Sequence, residues 1–555
     1  MKGGDGDRTE SSLPQDALVD RRDFVTRMGA LAAMAALTGC AVGREPTIAP
    51  AAPASRADAQ AFFRSLPRPE LSAGRVTDPA ELTAWEAGAL LRDGDLGAVE
   101  YLEAYLDRIR RWDGVYRAFN AVTEDRARAR ARELDSTPAT EILHGIPLAI
   151  KDNIHTAGVP TTVNSHIFRD LVPEEDAMVV TNLMARGGVM LGKSQLGPLA
   201  TTRALTPDGE ITTMNAWAPG DPEVSPGGSS SGSATAVMAR LASSSIGTQT
   251  GGSITMPSMA QGTTGLKPTF GRVSLHGVVP LSYTRDHVGP LARDVRDAAL
   301  MIQAMAGVDP RDPRTGGLPP VPDFLRAATP VSRGGRPVVR WETRLGVLPG
   351  WTDADGETGE NRRAFLRVAE EAGIDLVELA PPPAWEELTS GAFNALRLVE
   401  RTEPFLPYLK EDVRLFGPTI TSFMSGLFVS GDEYLKGQRA KLALLRLVMD
   451  DFFSQCDVAT MESHIPFDMI GCPLLALPAG TRVLRGRTLP GGVLLGAPPF
   501  GEERLLALGV AVQERSDWHR RRPADPSEAE EARMTGPGAR SRGRLDVDAV
   551  ERQAE

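Results

Sequence analysis

The sequence has little cysteine and no surplus of positive charge. Its 555 residues include three cysteines, Cys40, Cys456 and Cys472, too few and too widely spaced for a disulfide framework or a cysteine-based metal site. The formal net charge is -11, whereas a surface that binds phosphate backbones needs concentrated positive charge. We therefore expect no metal ion, no cofactor and no nucleic-acid partner.

Lysine is also scarce in this chain. Most of the 61 basic residues are arginine, which makes each lysine a candidate for a specific role. The lysines are Lys2, Lys151, Lys193, Lys267, Lys410, Lys436 and Lys441.

The amino-terminal segment has an apolar run, Met28 to Leu37, that is too short to cross the roughly 30 Å of a bilayer core as a helix. Arg21-Arg22 precedes this run, and small residues follow it, which is the layout of an export signal. The arginine pair resembles the twin-arginine pattern, and Leu37-Thr38-Gly39-Cys40 resembles a lipobox whose cysteine becomes lipidated. We expect export, with the protein periplasmic or lipid-anchored through Cys40 at the bacterial cell envelope.

Four segments are predicted along the chain. Residues 1–40 form the export signal, and residues 41–77, rich in proline and alanine, form a flexible tether. A folded domain is predicted over residues 78–523, starting at Asp78-Pro79, where an N-cap residue precedes a proline at the first helical position. Residues 524–555 mix charge with glycine, serine and proline, and we expect a disordered tail.

Within the domain, strand-like apolar runs alternate with helical ones, which predicts an α/β core. Residues 307–337 are rich in proline, glycine and arginine and predict a surface connection, and the following stretch to about residue 428 shows no readable pattern. The predicted strands are 145–150, 188–191, 243–247 and 472–478, and the predicted helices are 99–109, 234–242, 295–305 and 433–453.

Residues 225–274 carry the most informative pattern. Two turns of small residues, Gly227-Gly228-Ser229 and Gly251-Gly252-Ser253, lie beside apolar runs. Such turns expose serine hydroxyls and bare backbone N–H groups. A flexible linker is the alternative interpretation, but a linker does not enclose an apolar helical run such as 234–241.

This stretch resembles the signature of the amidase signature family, as do LHGIPLAIKDNIHTAGVPTTVNS upstream and LSYTRDHVGPLARDVRDAALMIQAMAG downstream. The resemblance implies an α/β amidase signature fold over residues 78–523, with a large mixed central β-sheet flanked on both faces by α-helices. Carried over by position, it implies that Ser253 is the nucleophile, that Ser229 is a bridging serine at a cis peptide bond, and that Lys151 is the base.

The chemistry requires a neutral lysine. A serine hydroxyl is a weak nucleophile until a base removes its proton, and a lysine with the ordinary pKa of about 10.4 is charged near neutral pH. Lys151 follows the apolar run 146–150, where burial lowers a lysine pKa. We expect Lys151 to take a proton from Ser229 while Ser229 takes one from Ser253. The predicted oxyanion donors are the backbone N–H groups of Thr250, Gly251, Gly252 and Ser253.

The sequence departs from the family pattern beside the nucleophile. The family commonly has Asp and Arg where this chain has Gln249 and Thr255, and glycine where it has Ser231. Loss of a carboxylate together with a guanidinium predicts that a neutral contact has replaced an internal ion pair. This exchange leaves open whether the oxyanion loop is as rigid as it is in the family.

Two further stretches fit the residue pattern of a known motif but lack the structural context that the motif requires. Residues 187–194 fit the pattern GxxxxGK[ST], but their centre is an apolar strand rather than a small-residue phosphate loop. Residues 228–232 fit Gly-x-Ser-x-Gly around Ser230, but no apolar strand precedes them. We therefore expect neither ATP binding nor a histidine-based triad, and we expect structural roles for Asp286 and His287.

Taken together, the sequence predicts hydrolysis of a small-molecule carboxylic amide to an acid and ammonia or an amine. One alternative is an aminoacyl-tRNA amidotransferase subunit, against which the export signal counts because tRNA charging is cytoplasmic. Another is a non-catalytic exported binding lipoprotein, against which the three retained catalytic residue types count. Membrane contact is expected only through the signal or lipid anchor, and the sequence leaves the substrate and the oligomeric state open.

Overall fold

The computed structural model describes residues 78–394 and 396–535, together with the single positions Ala61 and Ser65. These described residues belong to one compact unit within residues 52–555. The predicted export signal and its Cys40 lie outside the described residues, as does the predicted tether apart from those two positions. In the described part of the chain, no helix is both long and apolar enough to cross a membrane.

Helices make up much of the described chain. The α-helices, named α1 to α17 in chain order, are Ala84–Asp93, Ala98–Tyr116, Glu124–Asp135, Met178–Ala185, Ser231–Met238, Thr255–Gln261, Val295–Met305, Phe324–Ala327, Gly356–Glu371, Trp385–Leu388, Gly391–Asn394, Leu396–Glu411, Ile420–Met424, Gly431–Leu447, Ile465–Ile470, Glu502–Gln513 and Glu528–Thr535. Short 3-10 helices lie at Pro79–Glu81, His166–Phe168, Pro198–Ala200, Pro313–Thr315, Val413–Thr419, Ser425–Phe428 and Trp518–Arg520, and a π-helix lies at Val448–Phe452.

Between the helices run the β-strands. Named β1 to β13 in chain order, they are Phe119–Val122, Pro147–Lys151, Val189–Ser194, Ser244–Gln249, Thr264–Lys267, His287–Ala292, Val331–Arg333, Arg336–Val338, Arg344–Val347, Asp375–Glu378, Val458–Met461, Leu474–Leu484 and Arg487–Gly496.

Eleven strands of the described chain form one mixed sheet in the order β1-β3-β2-β4-β6-β5-β12-β13-β11-β9-β10. The pairs β2·β3 and β2·β4 are parallel, and β4·β6 is antiparallel. Every residue of β2, β3, β4 and β6 is buried, so both faces of the central sheet are covered. The predicted α/β fold with a large mixed sheet flanked by helices is confirmed.

Local sequence explains where several helices begin and end. Asp294 accepts a hydrogen bond from the backbone of Asp297 at the start of α7, and this helix has the predicted limits. Ser430 forms a capping box with Glu433 at the start of α14. The predicted helix 234–242 instead runs from Ser231 to Met238, because Arg240 adopts a left-handed conformation (φ 60°) that turns the chain into β4.

Residues 307–337 are more than the predicted surface connection. They include the short helix α8, in which Phe324 and Leu325 are fully buried and pack into the main core. The stretch that gave no sequence pattern contains β9, α9, β10 and α12, and α12 holds Pro404 and Pro407 within its length.

The predicted disordered tail is wrong for residues 524–535. Asp525 accepts from Arg240 at 2.6 Å and also pairs with Arg108. Helix α17 follows and packs against α2, with Met534 only 7% exposed. The ion pairs and this apolar contact hold the segment against the domain, and residues 536–555 lie outside the described residues.

Candidate active site

Lys151 is the last residue of β2 and is fully buried. Its Nζ lies 2.8 Å from Ser229 Oγ and donates to Thr248 Oγ1 at 2.9 Å and to Thr248 O at 3.3 Å. Burial drives the pKa of Lys151 well below its ordinary value, against the smaller opposing effect of the Asp286 charge. The structure therefore places a lysine that favours its neutral form next to a serine hydroxyl.

Ser229 lies in the turn before α5, at a cis Gly228-Ser229 peptide bond, and is fully buried. The backbone at Gly228 lies so close to Thr202 that a side chain would not fit, because a Cβ there would lie 2.6 Å from Thr202 O. The carbonyl of Ser229 accepts from Gly197 N at 3.1 Å, which fixes the far side of the turn. A second residue of this turn, Ser230, donates its N–H to Ser253 O at 3.3 Å.

Ser253 lies in the turn between β4 and α6 and is 5% exposed. The preceding Gly252 has φ 81°, a conformation that favours glycine. A Cβ at this position would also lie 2.6 Å from Met256 Sδ and 2.7 Å from His464 Nε2. The bond between Ser230 and Ser253 joins this turn to the Ser229 turn, so the structure brings the three predicted residues into one region.

The N–H groups of the Ser253 turn differ in whether they have an acceptor. Gly252 N donates to Asp468 Oδ2 at 2.9 Å. Within the described chain, no acceptor takes the N–H groups of Thr250, Gly251 or Ser253. The prediction that Gly252 N–H is an oxyanion donor is therefore wrong in this conformation, because a buried carboxylate already accepts it, while the other three groups keep that capacity.

Comparison with known proteins identifies the family of this chain. The sequence model of the family described as Amidase matches residues 100–415. The chain belongs to the amidase family.

The curated relatives agree with this assignment. The chain is 34% identical over 498 residues to a subunit of the Glutamyl-tRNA(Gln) amidotransferase of Chloroflexus aggregans, covering 81% of this chain and 99% of the relative. The corresponding subunit from Moorella thermoacetica is 33% identical, covering 80% of this chain and 98% of that relative. The protein is accordingly a carbon–nitrogen hydrolase of the amidase type.

Solved structures of amidases share the fold. The native peptide amidase of Stenotrophomonas maltophilia is similar with a TM-score of 0.67 and 29% identity, covering 81% of this chain and 99% of that one. The 6-aminohexanoate cyclic dimer hydrolase is similar in fold, with a TM-score of 0.68 at 21% identity, covering 80% and 99% of the two chains.

Gln249 and Thr255, the departures from the amidase pattern, contact each other. Gln249 Oε1 accepts from Ile254 N at 2.8 Å, from Thr255 N at 2.9 Å and from Thr255 Oγ1 at 3.3 Å. Both side chains are fully buried. The predicted neutral contact is confirmed, and it closes the turn around Ser253.

Asp286 and His287 support the site without reaching into it. Asp286 accepts from Thr250 Oγ1 and from the N–H groups of Leu281 and Ser282, and burial raises its pKa. His287 is buried on β6 with Nδ1 2.7 Å from Arg285 O, and burial drives its pKa well below the ordinary value. These contacts agree with the predicted structural roles.

The two misleading motifs have ordinary structural roles. Lys193 lies on β3, fully buried, and donates to Ile154 O and Thr161 Oγ1, each at 2.6 Å. Its segment is a strand and not a phosphate loop. The residues before Ser230 form turns and no strand, so the Gly-x-Ser-x-Gly elbow is absent from this described segment.

Sequence reasoning missed three residues beside the Ser253 turn. Asp468 on α15 and His464 just before it contact the turn directly. The Arg397 guanidinium lies 3.2 Å from the position that a Cβ on Gly251 would occupy. A lone carboxylate in the apolar run IPFDMI was the available signal for Asp468, since buried carboxylates need partners.

Proposed function

We propose that the protein hydrolyses a carboxylic amide through an acyl-enzyme on Ser253, with Ser229 as proton relay and Lys151 as base. The observation that carries this proposal is the 2.8 Å approach of Lys151 Nζ to Ser229 Oγ at a fully buried position with a lowered lysine pKa. A neutral amine has two N–H groups and one lone pair. The two donations to Thr248 leave the lone pair for the Ser229 hydroxyl.

The same proton-transfer route serves both acylation and deacylation. Ser253 Oγ attacks the amide carbon while its proton passes to Ser229 and the Ser229 proton passes to Lys151. The N–H groups of Thr250, Gly251 and Ser253 are the available donors to the oxyanion. The proton returns through Ser229 to the leaving nitrogen, the C–N bond breaks, and ammonia or an amine departs. Water then attacks the ester and its proton follows the same path, which releases the acid and restores Ser253.

A serine-reactive fluorophosphonate tests the nucleophile. We expect one adduct, on Ser253, located by mass spectrometry of the purified protein, and a fall in kcat of about 10⁴-fold or more in Ser253→Ala. Ser230→Ala is the matched control, because Ser230 lies in the neighbouring turn with its Oγ 3.3 Å from Thr248 O. Labelling of another residue, or unchanged turnover in Ser253→Ala, would exclude this mechanism. Absence of both labelling and turnover would favour a binding protein on this scaffold.

A second candidate function is that of an amidotransferase subunit, which takes ammonia from glutamine for transfer to an aminoacyl-tRNA. The alignment with the Chloroflexus aggregans relative over 99% of its length favours it. Both functions use the same acyl-enzyme chemistry, so the substrate separates them. An amide panel that includes glutamine, peptide amides and oligoamides should be assayed with the purified chain alone. Turnover of amides other than glutamine supports the first candidate, and glutamine hydrolysis that requires added subunits supports the second.

The cellular location bears on the same choice. We propose that the chain is exported through its twin-arginine-like segment and anchored through Cys40, on the sequence pattern of residues 20–40. A reporter fused to the full chain should stay in the cytoplasm when Arg21-Arg22 is replaced by Lys-Lys. Cys40→Ser should abolish incorporation of labelled fatty acid. Export of the Lys-Lys variant at the normal level would contradict the twin-arginine route.

A further inference from the structure

Asp468 is a buried carboxylate that the catalytic proposal does not use. It lies on α15, fully buried, and accepts three hydrogen bonds from two sides. Oδ2 accepts from Gly252 N at 2.9 Å and lies 2.8 Å from His464 Nδ1, while Oδ1 accepts from Gln249 Nε2 at 2.8 Å. Gly252 belongs to the turn that carries the proposed nucleophile, and Gln249 ends β4 directly before that turn.

The charge of Asp468 is stabilised by its surroundings. Burial alone would raise the pKa of this carboxyl, but the hydrogen bond and charge of His464 and the charges of Lys267 and Arg285 lower it to about 2. Lys267 Nζ lies 3.9 Å from Oδ1, also fully buried. Asp468 is therefore an ionised acceptor, and charged acceptors form stronger hydrogen bonds than neutral ones.

The contacts of Gly252 fix the two peptide planes that flank it. Its N–H is held by Asp468, and its carbonyl accepts from Met256 N at 2.7 Å. In a trans peptide the N–H points opposite to the carbonyl of the same plane. The Gly252 carbonyl therefore sets the direction of Ser253 N–H, and the Gly252 N–H sets the plane shared with Gly251.

We propose that Asp468 is the positioning residue of the oxyanion turn: by holding Gly252 N–H, and Gln249 beside it, Asp468 aims the N–H groups of Thr250, Gly251 and Ser253 at the substrate carbonyl. In this chain a carboxylate from α15 and an amide from β4 form the support that the amidase pattern commonly places within the turn itself. The inference rests on the proposed function, since an oxyanion turn matters only to an acyl-enzyme mechanism.

Complementarity of donors and acceptors makes the inference testable. Asp468→Asn replaces one acceptor oxygen by a donor, which then faces either Gly252 N–H or Gln249 Nε2, so one buried N–H loses its partner. Gln249→Glu places a second carboxylate against Asp468. Combining the two changes exchanges amide and carboxylate between the two positions. The new amide on α15 can donate to the new carboxylate on β4 and accept from Gly252, while that carboxylate still accepts from Ile254 and Thr255.

The experiment measures kcat, KM and the rate of fluorophosphonate labelling for both single variants and for the double variant Gln249→Glu/Asp468→Asn in the full chain. We expect a fall in kcat of about 100-fold for Asp468→Asn, the scale of one impaired oxyanion donor, with KM changed by about 2-fold or less. The double variant should recover at least about 10-fold of kcat, as coupled neighbours do.

A matched control separates positioning from folding. Asp297 is another fully buried carboxylate, and it accepts from Ala84 N and Trp85 N away from the Ser253 turn. Asp297→Asn should lower the thermal midpoint without lowering kcat. A kcat for Asp468→Asn that matches this control, or strictly additive effects in the double variant, would overturn the positioning role. Failure of the proposed function itself looks different, because the wild-type protein would then show no labelling at Ser253.

Discussion

At the residue scale, the proposed mechanism depends on keeping water from the amine of Lys151, which is fully buried. The side chain ends β2 inside a sheet whose central strands are buried on both faces, and its three short contacts are to Ser229 and Thr248. Such an environment costs a charged lysine its hydration, and no carboxylate of the described residues lies within hydrogen-bond distance to compensate. In the proposed mechanism, burial at the end of this apolar strand is thus what makes Lys151 basic enough to accept the Ser229 proton.

The lowered pKa of Lys151 predicts the pH profile of kcat/KM. Only the neutral amine can accept the Ser229 proton, so activity should be lost as pH falls through the lowered pKa and should be full above it. The midpoint should lie well below the ordinary lysine value of about 10.4. Lys151→Arg should be inactive at every pH, because a guanidinium stays protonated. A profile that keeps rising up to about pH 10 would contradict a lowered pKa.

At the scale of elements, the turn between β4 and α6 is held by parts of the chain that are distant in sequence. Gln249 closes the turn from within, and Asp468 holds it from α15, 216 residues after Gly252. The Asp/Arg pair common in amidases has no place in this arrangement, because Thr255 is fully buried and Gln249 already faces a carboxylate.

Installing the common pair should therefore harm this protein. In Gln249→Asp/Thr255→Arg, a second carboxylate faces Asp468 and a guanidinium must fit where a threonine was buried. We expect a loss of about 3 kcal/mol or more in the free energy of unfolding, measured by urea denaturation, together with lower kcat. Thr255→Ser serves as control, since it keeps the hydroxyl that contacts Gln249. A double variant as stable and active as the wild type would show that the Gln249 contacts are dispensable.

At the scale of the whole molecule, the carboxy-terminal segment closes the fold rather than trailing from it. Asp525 bridges Arg108 of α2 and Arg240, which precedes β4, while Met534 of α17 packs into a small apolar cluster. This segment thus connects the first large helix with the chain that leads to Ser253.

Truncation after residue 523 tests that role. We expect a loss of about 2 to 4 kcal/mol in the free energy of unfolding, from burial of Met534 and two partly exposed ion pairs, with kcat changed little because no catalytic group is removed. Truncation after residue 535 is the matched control and should leave stability unchanged. If a chain ending at residue 523 were as stable as the wild type, residues 524–535 would contribute nothing to stability, as expected of a disordered tail.

Much of the fold could be predicted because its signals were local, and so could the proximity of Lys151 to Ser229. Lys151, Ser229 and Ser253 each lie in a short motif, and α7 has the predicted limits because one capping residue defines its start. The stretch after residue 337 gave no pattern because its strand β10 is only half-buried and α12 contains prolines. Asp468 could not be assigned, since its partners are set by the packing of α15 against a turn far away in sequence.

Because Gly252 and Asp468 lie far apart along the chain, they are also synthesised at different stages of translation. Synthesis delivers Lys151, Ser229 and Ser253 early, and the carboxylate that holds the oxyanion turn only after β11, which ends at Met461. A nascent chain that has grown no further carries the proposed nucleophile, relay and base, yet lacks the carboxylate that we propose positions the turn. We expect such a chain to show at least the fall in kcat of about 100-fold expected for Asp468→Asn. Translation beyond Met461 would then raise the enzyme's activity as well as complete its central sheet, which includes β12 and β13.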